Sequence, residues 1–149
     1  RGATAAGLKV GLYFYSQAVN EAEAAEEASM VLRLCSGYNI SYPIYFDTEK
    51  VAGDTGRADN ISRSQRTANA VTFCDIIRNA GYRAGVYSYA SWFYNQLNIA
   101  NLTQYSIWIA QYRDNLTFDY NYDIWQYTSS GQVPGIPARV DMNVSKRNF

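Results

Sequence analysis

Residues 6–16 read AGLKVGLYFYS, and residues 80–90 read AGYRAGVYSYA. Both run Ala-Gly, one residue, a base, one residue, Gly, an aliphatic residue and Tyr-x-Tyr. The first Gly of each copy is a helix C-terminal signal. The residues after it are β-rich. Each copy therefore reads as a helix end, a tight turn and a strand, which is one α/β step. A chain that repeats this step builds a parallel sheet carrying helices.

The helices between the steps are legible. Asn20 caps one, with Glu23 three residues on as its box partner, and Ala28, Val31, Leu32 and Cys35 then share a face before the stop near Gly37. A second starts at Ser62, with Gln65 three residues on. It presents Ala70, Phe73, Cys74 and Ile77 and ends at Gly81. Strands are expected near 9–16, 42–49, 83–90, 106–112, 122–128 and 139–144. The early spacing leaves room for helices between strands, and after about residue 105 it does not. Alternating strands and helices with many inward Tyr suggest an α/β barrel that closes on itself, its last part poor in helices.

Strand residues i and i+2 share a face. Leu12, Phe14, Ile44, Phe46, Ala84, Val86, Ile107 and Ile109 turn outward, toward the helices. Gly11, Tyr13, Tyr15, Tyr45, Asp47, Glu49, Gly85, Tyr87, Tyr89, Trp108, Ala110 and Tyr112 turn inward, and on the last strand Asp141 and Asn143 lie opposite Val140, Met142 and Val144. The interior thus collects small residues, Tyr, a Trp and three carboxylates. The 14 Tyr of the 149 residues matter here, because each offers an apolar ring with a hydrogen-bonding tip. The chain holds no His, which removes Ser-His-Asp and Cys-His nucleophiles and His-ligated metals and leaves acid–base work to carboxylates, Tyr, Lys or Cys. Zero formal net charge and 48% apolar content argue against a polycationic nucleic-acid binder and a disordered tail. No apolar run is long enough for a membrane span. Cys35 and Cys74 read equally as two buried thiols or one bridge.

The sharpest chemical signal is Asp47-Thr48-Glu49, at the C-terminal end of the apolar strand YPIYFDTE. An isolated Asp-x-Glu reads as a solvated acidic turn. At a strand end among Tyr it reads as a functional pair, since that end of a parallel α/β barrel carries the active site. Two like charges held together in apolar surroundings raise the pKa of one, and a carboxylic acid kept protonated near neutrality is what a glycosidase needs to protonate a leaving oxygen. Asp54, Asp59 and Asn60 fit no cation-loop spacing and read as a solvated loop. Asn-x-Ser/Thr sequons at Asn39, Asn60, Asn101, Asn115 and Asn143 carry no further weight in an Asn-rich chain. No phosphate loop or dinucleotide fingerprint occurs.

YPIYFDTE, the paired AG-x-[KR]-x-G-x-Y-x-Y units, SIWIAQY and DIWQYTSSGQVPGIPARVDMNV together resemble glycoside hydrolase family 25, the Chalaropsis-type lysozymes or N-acetylmuramidases. The resemblance covers essentially the whole chain. It implies an irregular TIM-like (β/α)₅β₃ barrel. It also implies cleavage of the β-1,4 bond between N-acetylmuramic acid and N-acetylglucosamine in peptidoglycan, with retention and without metal or cofactor. By motif, Glu49 matches the proton donor and Asp47 the partner that orients or stabilises the intermediate. Asp141, in Val-Asp-Met-Asn, matches a further acidic residue of the cleft. Tyr13, Tyr15, Tyr87, Trp108 and Gln126 fall to sugar contacts; alternation turns Trp108 inward but does not clearly do so for Gln126.

Residues 1–8 match nothing of the family's opening Asp-bearing strand. The start RGATAAGLKVG, without Met or a leader pattern, reads as the end of a helix. The chain is therefore expected to be one catalytic domain, 1–149, missing its first two strands and their carboxylate, and to be part of a longer natural chain. Exposed sheet edges are expected to seek partners, a second copy among them. The implied partner is the peptidoglycan glycan chain, and the implied location is secreted or at the cell wall. Two rival readings stand beside this one: a truncated barrel that holds glycan without cutting it, and a related glycosidase acting on chitin-like chains.

Overall fold

In a computed structural model of residues 1–149 the two echoes do the same job. Gly7 and Gly81 both take positive φ and end helices, the first the single turn α1 (Gly2–Ala5). Each echo then feeds a strand. Six strands form one sheet whose spatial order is the chain order: β1 (Leu12–Tyr15), β2 (Ile44–Asp47), β3 (Ala84–Tyr89), β4 (Ser106–Ala110), β5 (Ile124–Val133) and β6 (Ile136–Ser145). Neighbours from β1 to β5 run parallel, and β6 returns antiparallel.

Helix α2 (Glu21–Cys35) follows β1 and α3 (Arg63–Asn79) follows β2. The Asn20 side chain accepts the Glu23 N–H at 2.9 Å, and Ser62 accepts that of Gln65 at 3.1 Å, so both expected caps form. Glu23 reaches back to the N–H of Val19, one residue before its expected box partner. The short α4 (Ala90–Asn95) and a 3₁₀ turn (Ile99–Asn101) fill the β3–β4 crossover. No helix comes after them, in line with the late spacing. None is long and apolar enough to cross a membrane.

The helix-facing side chains form the main core. Ile44, Phe46, Phe73, Ile77, Val86 and Ile109 are at most 2% exposed, and Leu12 and Phe14 pack against them from β1. Both cysteines lie in this core as free thiols.

Two expectations need correction. The closure suggested by strand alternation does not occur: the sheet curls but stays open, because β1 pairs only with β2 and β6 only with β5, which leaves the exposed edges expected of a chain short of two strands. Parallel barrels close with about eight tilted strands. Six curl without meeting, and only side chains cross the gap, Lys9 onto Asn148 and Tyr42 onto Phe149 among them. The second correction concerns 129–138, expected to be loop. β5 runs on to Val133 and β6 begins at Ile136, joined at Pro134-Gly135, where Gly135 takes φ 86°. Pro followed by a positive-φ Gly is a tight-turn pairing. Register shifts along the hairpin break the strict alternation that would have revealed it.

Candidate active site

Strand pairing sets one row of residues across the concave face: Tyr15, Asp47, Tyr87, Trp108 and Ile124 are successive register partners. Asp47 stands in this row between Tyr15 and Tyr87, and Glu49 follows it just past the end of β2. Asp47 is 4% exposed, and its Oδ1 has no hydrogen-bond partner. Burial first, and then the charge of Glu49, push the Asp47 carboxyl up to about 8. Glu49, two residues on, is only half-buried.

Thr48, between the two acids, is held from three directions. Its N–H donates to the Tyr87 carbonyl at 3.1 Å, its carbonyl accepts the Ser88 hydroxyl, and its Oγ1 accepts Arg66 Nη1 at 3.1 Å. Arg66 is itself 1% exposed. Its Nη2 donates to the carbonyls of Ala58 at 2.7 Å and Asp59 at 3.2 Å, and its guanidinium lies 4.3 Å from the Trp92 ring centre. A buried cation on α3 thus ties the acid pair to the loop beyond it, whose turn Asp59 closes by accepting the N–H groups of Val51 and Gly56.

Phenols surround the pair. Tyr87 and Tyr112 both donate to Gln126 Oε1, at 2.8 and 2.7 Å. The Tyr89 hydroxyl lies against the Glu49 carboxylate, which, after burial, is the main reason its pKa rises. Burial and then the Glu49 and Asp47 charges raise Tyr15 as well. These groups stay neutral hydrogen-bond donors across the working range of a carboxyl pair.

Trp108 is the aromatic hub of the concave face. Its ring meets Tyr87 at 4.6 Å, Tyr45 at 5.2 Å and Tyr13 at 6.4 Å, centre to centre. Tyr45 has room to cross the sheet because Gly85 faces it, where a Cβ would overlap the ring. Trp108 Nε1 donates to Asn143 Oδ1 at 2.8 Å, reaching β6 across the curl. A hollow of about 370 Å³ opens between Tyr13, Tyr45, Trp108 and Asn143.

The expected site residues come together unevenly. Asp47, Glu49, Tyr15, Tyr87 and Trp108 lie on one face as alternation requires. Gln126 joins them fully, 2% exposed between two phenols. Tyr13 sits two residues back along β1, 64% exposed. Asp141 is exposed on β6, and its charge is felt by Tyr112. Arg66, Thr48 and Ser88 were not anticipated. A signal for Arg66 existed: the helical face of Ala70, Phe73, Cys74 and Ile77, extended back one turn, falls on Arg66 and Asn69, both buried.

A buried acid next to a half-open one, among neutral donors and exposed aromatic rings, suits proton transfer to a bound carbohydrate. Comparison with known proteins agrees in kind. Glycosyl hydrolases family 25 matches residues 1–136. An autolytic lysozyme of Clostridium acetobutylicum is 30% identical over 143 residues, which take in 95% of this chain and 41% of that protein. The modular autolysin LytC of Streptococcus pneumoniae has a TM-score of 0.84 and 30% identity over 95% of this chain and 35% of its own. A second LytC structure is in complex with a synthetic peptidoglycan ligand. A family 25 glycosyl hydrolase of Bacillus anthracis shares the fold, with a TM-score of 0.79 at 20% identity over 98% of this chain and 68% of that one. The chain spans less than half of the first two relatives, yet the matched stretch takes in the acid pair, the aromatic row and nearly all of the sheet: it belongs to glycosyl hydrolases family 25.

Proposed function

We propose that this chain is the hydrolytic part of a peptidoglycan-degrading muramidase, cleaving the β-1,4 bond between N-acetylmuramic acid and N-acetylglucosamine. One observation carries the reading: a carboxyl pair at the C-terminal end of β2 in which Asp47 is buried, with no hydrogen-bond partner for its Oδ1, beside a half-open Glu49. The pair retains one proton between its members. That proton moves from Asp47 to Glu49, the half-open member, which passes it to the leaving oxygen as the glycosidic bond breaks and so leaves Asp47 ionised. The substrate's 2-acetamido oxygen bonds to the anomeric carbon, and Asp47 stabilises the charged intermediate. Water then attacks that carbon as its bond to the acetamido oxygen breaks, and gives up a proton to Glu49, with net retention. This substrate-assisted course is one of the exceptions to the two-carboxylate scheme. Asp141 contributes negative charge from the far wall of the cleft. Tyr13, Tyr15, Tyr87, Trp108 and Gln126 hold the sugars.

Family membership, and the peptidoglycan ligand carried by LytC, support the substrate. The site of action is then the cell wall, outside the membrane. Three strands with helices after them, β1 to β3, precede three without, β4 to β6. That order supports the finer description, the last six strands of a (β/α)₅β₃ barrel. The outer edge of β1 is unpaired and flanked by an apolar hollow of about 310 Å³ between Leu12, Phe14, Val31 and Leu34. These features support self-association through that edge, which light scattering tests.

The test of function is digestion of purified peptidoglycan followed by analysis of the reducing ends. N-acetylmuramic acid at the new ends, first appearing as the β-anomer, is expected. N-acetylglucosamine ends, or none, would overturn the reading.

A further inference from the structure

The opposite mouth of the sheet holds a groove that hydrolysis does not use. It measures about 960 Å³, a volume typical of ligand sites. Pro43, Arg83, Tyr105 and Asp123 line it, and each is the residue immediately before a strand, β2 to β5 in turn. Asp47 lies four residues beyond Pro43, so the groove and the acid pair are separated by the length of β2, roughly 13 Å at ~3.3 Å per residue.

The charge at the two mouths is opposite. Arg78, Arg83, Lys146 and Arg147 line the groove against one carboxylate, Asp123, in a chain whose formal net charge is zero. Asp123 is engaged by Arg147 at 2.8 Å, and Arg78 lies 3.9 Å from Asp75. Arg83 and Lys146 have no carboxylate partner, and three of the four cations lie over rings. Lys146 Nζ is 3.4 Å from the Tyr122 centroid, and the Arg78 and Arg83 guanidinium carbons are 5.6 and 5.9 Å from those of Tyr105 and Phe149. A cation stacked on a ring keeps N–H donors at its edge for an anion. Rings alternating with cations offer flat apolar surface to sugar faces and fixed donors to charged substituents.

We propose that this groove is a second binding site, one that takes an anionic polysaccharide and holds the protein to it while the acid pair works at the other mouth. It stands independently of the proposed hydrolysis, since binding is measured without turnover. Phosphate and carboxylate substituents share the required chemistry, and the probes separate them: phosphomannan for sugar phosphate, polygalacturonate for carboxylate and mannan as the uncharged chain. The full chain is titrated with each by calorimetry at low and high salt, beside the variants R83Q/K146Q and R33Q/R139Q. The second variant removes as much positive charge from exposed positions outside the groove.

At least one anionic glycan is expected to bind in a salt-dependent way, and mannan is not. R83Q/K146Q should weaken that binding tenfold or more and flatten its salt dependence, while R33Q/R139Q leaves it within twofold. Both substituted side chains of the test variant are exposed, so its melting temperature should match the parent's. Phosphomannan binding tighter than polygalacturonate, or the reverse, names the charged group and supports the site either way. Binding of neither anionic chain, equal loss in both variants, or tighter binding of single-stranded oligothymidylate would overturn it.

Discussion

Phe46 and Asp47 are neighbours on β2, and both are nearly inaccessible, at 2% and 4%. Phe46 enters a core of aliphatic and aromatic groups between sheet and helices, where burial costs nothing polar. Asp47 enters a second packed layer on the concave side, where Tyr45, Tyr87 and Gln126 are also buried and each carries a polar tip. The helix side supplies stability through apolar area. The concave side gives up part of it, because an ionisable carboxyl dried there without a hydrogen bond is held neutral. One residue of alternation therefore separates side chains whose loss should show in melting from side chains whose loss should show in turnover.

The largest effects test that division directly. Glu49→Gln keeps the shape and removes the transferable proton, so wall lysis should fall ~10²–10⁴-fold, with an unchanged melting temperature. Phe46→Ala should do the reverse, costing about 3–5 kcal/mol of stability while each folded molecule keeps most of its activity. Turbidity clearing and thermal melts on both variants make the check. A Glu49→Gln protein that melts early but still clears walls would reverse the assignment of the two faces.

Asp47→Asn sharpens the comparison through pH. In the fold the Asp47 carboxyl titrates at about 8, against an ordinary value of 3.8. The folded state therefore binds the extra proton between those limits, and stability falls as pH rises from about 4 to about 8. Asn does not titrate. The variant should gain melting temperature over the parent at pH 8 and lose that advantage at pH 4, while lysing walls more slowly and with a shifted pH–rate profile. Equal melting offsets at both pH values would mean that Asp47 is ionised in the fold.

Arg66 crosses the division: it projects from a helix and fixes Thr48 between the acids. Small misplacements of reacting groups cost roughly up to 10²-fold in rate. Arg66→Met should lower kcat ten- to a hundredfold with KM nearly unchanged, and Arg66→Lys should recover part of it. A loss confined to melting temperature, with kcat per folded molecule intact, would leave Arg66 a structural residue only.

The sheet and its helices were legible because they rest on local chemistry: the Gly stops, the Asn20 and Ser62 caps, and an alternation strict enough to turn Tyr87 and Trp108 inward. The hairpin beyond Thr128 was not, because its bulges scramble that period and its residues, TSSGQV, are mostly polar. Alternation alone suggested closure because inward Tyr specify a concave face but not how many strands complete it; the open edges were legible only from the family motifs. In the site, Asp47 and Glu49 stood out by type and place. Gln126 resisted alternation, since its burial depends on two phenols reaching it from β3 and from beyond β4. Arg66 was hidden for another reason: a cation on a helix reads as solvated unless the buried face is traced back to it.

The smallest expected effect lies where the concave layer opens to water. Tyr13 is 64% exposed and touches Trp108 only edge-on, at 6.4 Å. Little stability rests on it, and an aromatic contact of this kind is worth about 0.5–1.5 kcal/mol. If its ring is a sugar platform, Tyr13→Ala should raise KM for wall fragments by roughly two- to tenfold, the equivalent of that energy, with kcat and melting unchanged. Tyr13→Phe keeps the ring and should keep the KM. Initial rates against fragment concentration separate the cases. A drop in melting temperature would place Tyr13 with the buried layer of Tyr45 and Tyr87. An equal loss in the Phe variant would move the contact from the ring to the hydroxyl. The boundary between packed layer and open cleft then runs between Tyr13 and Trp108, and these two substitutions locate it.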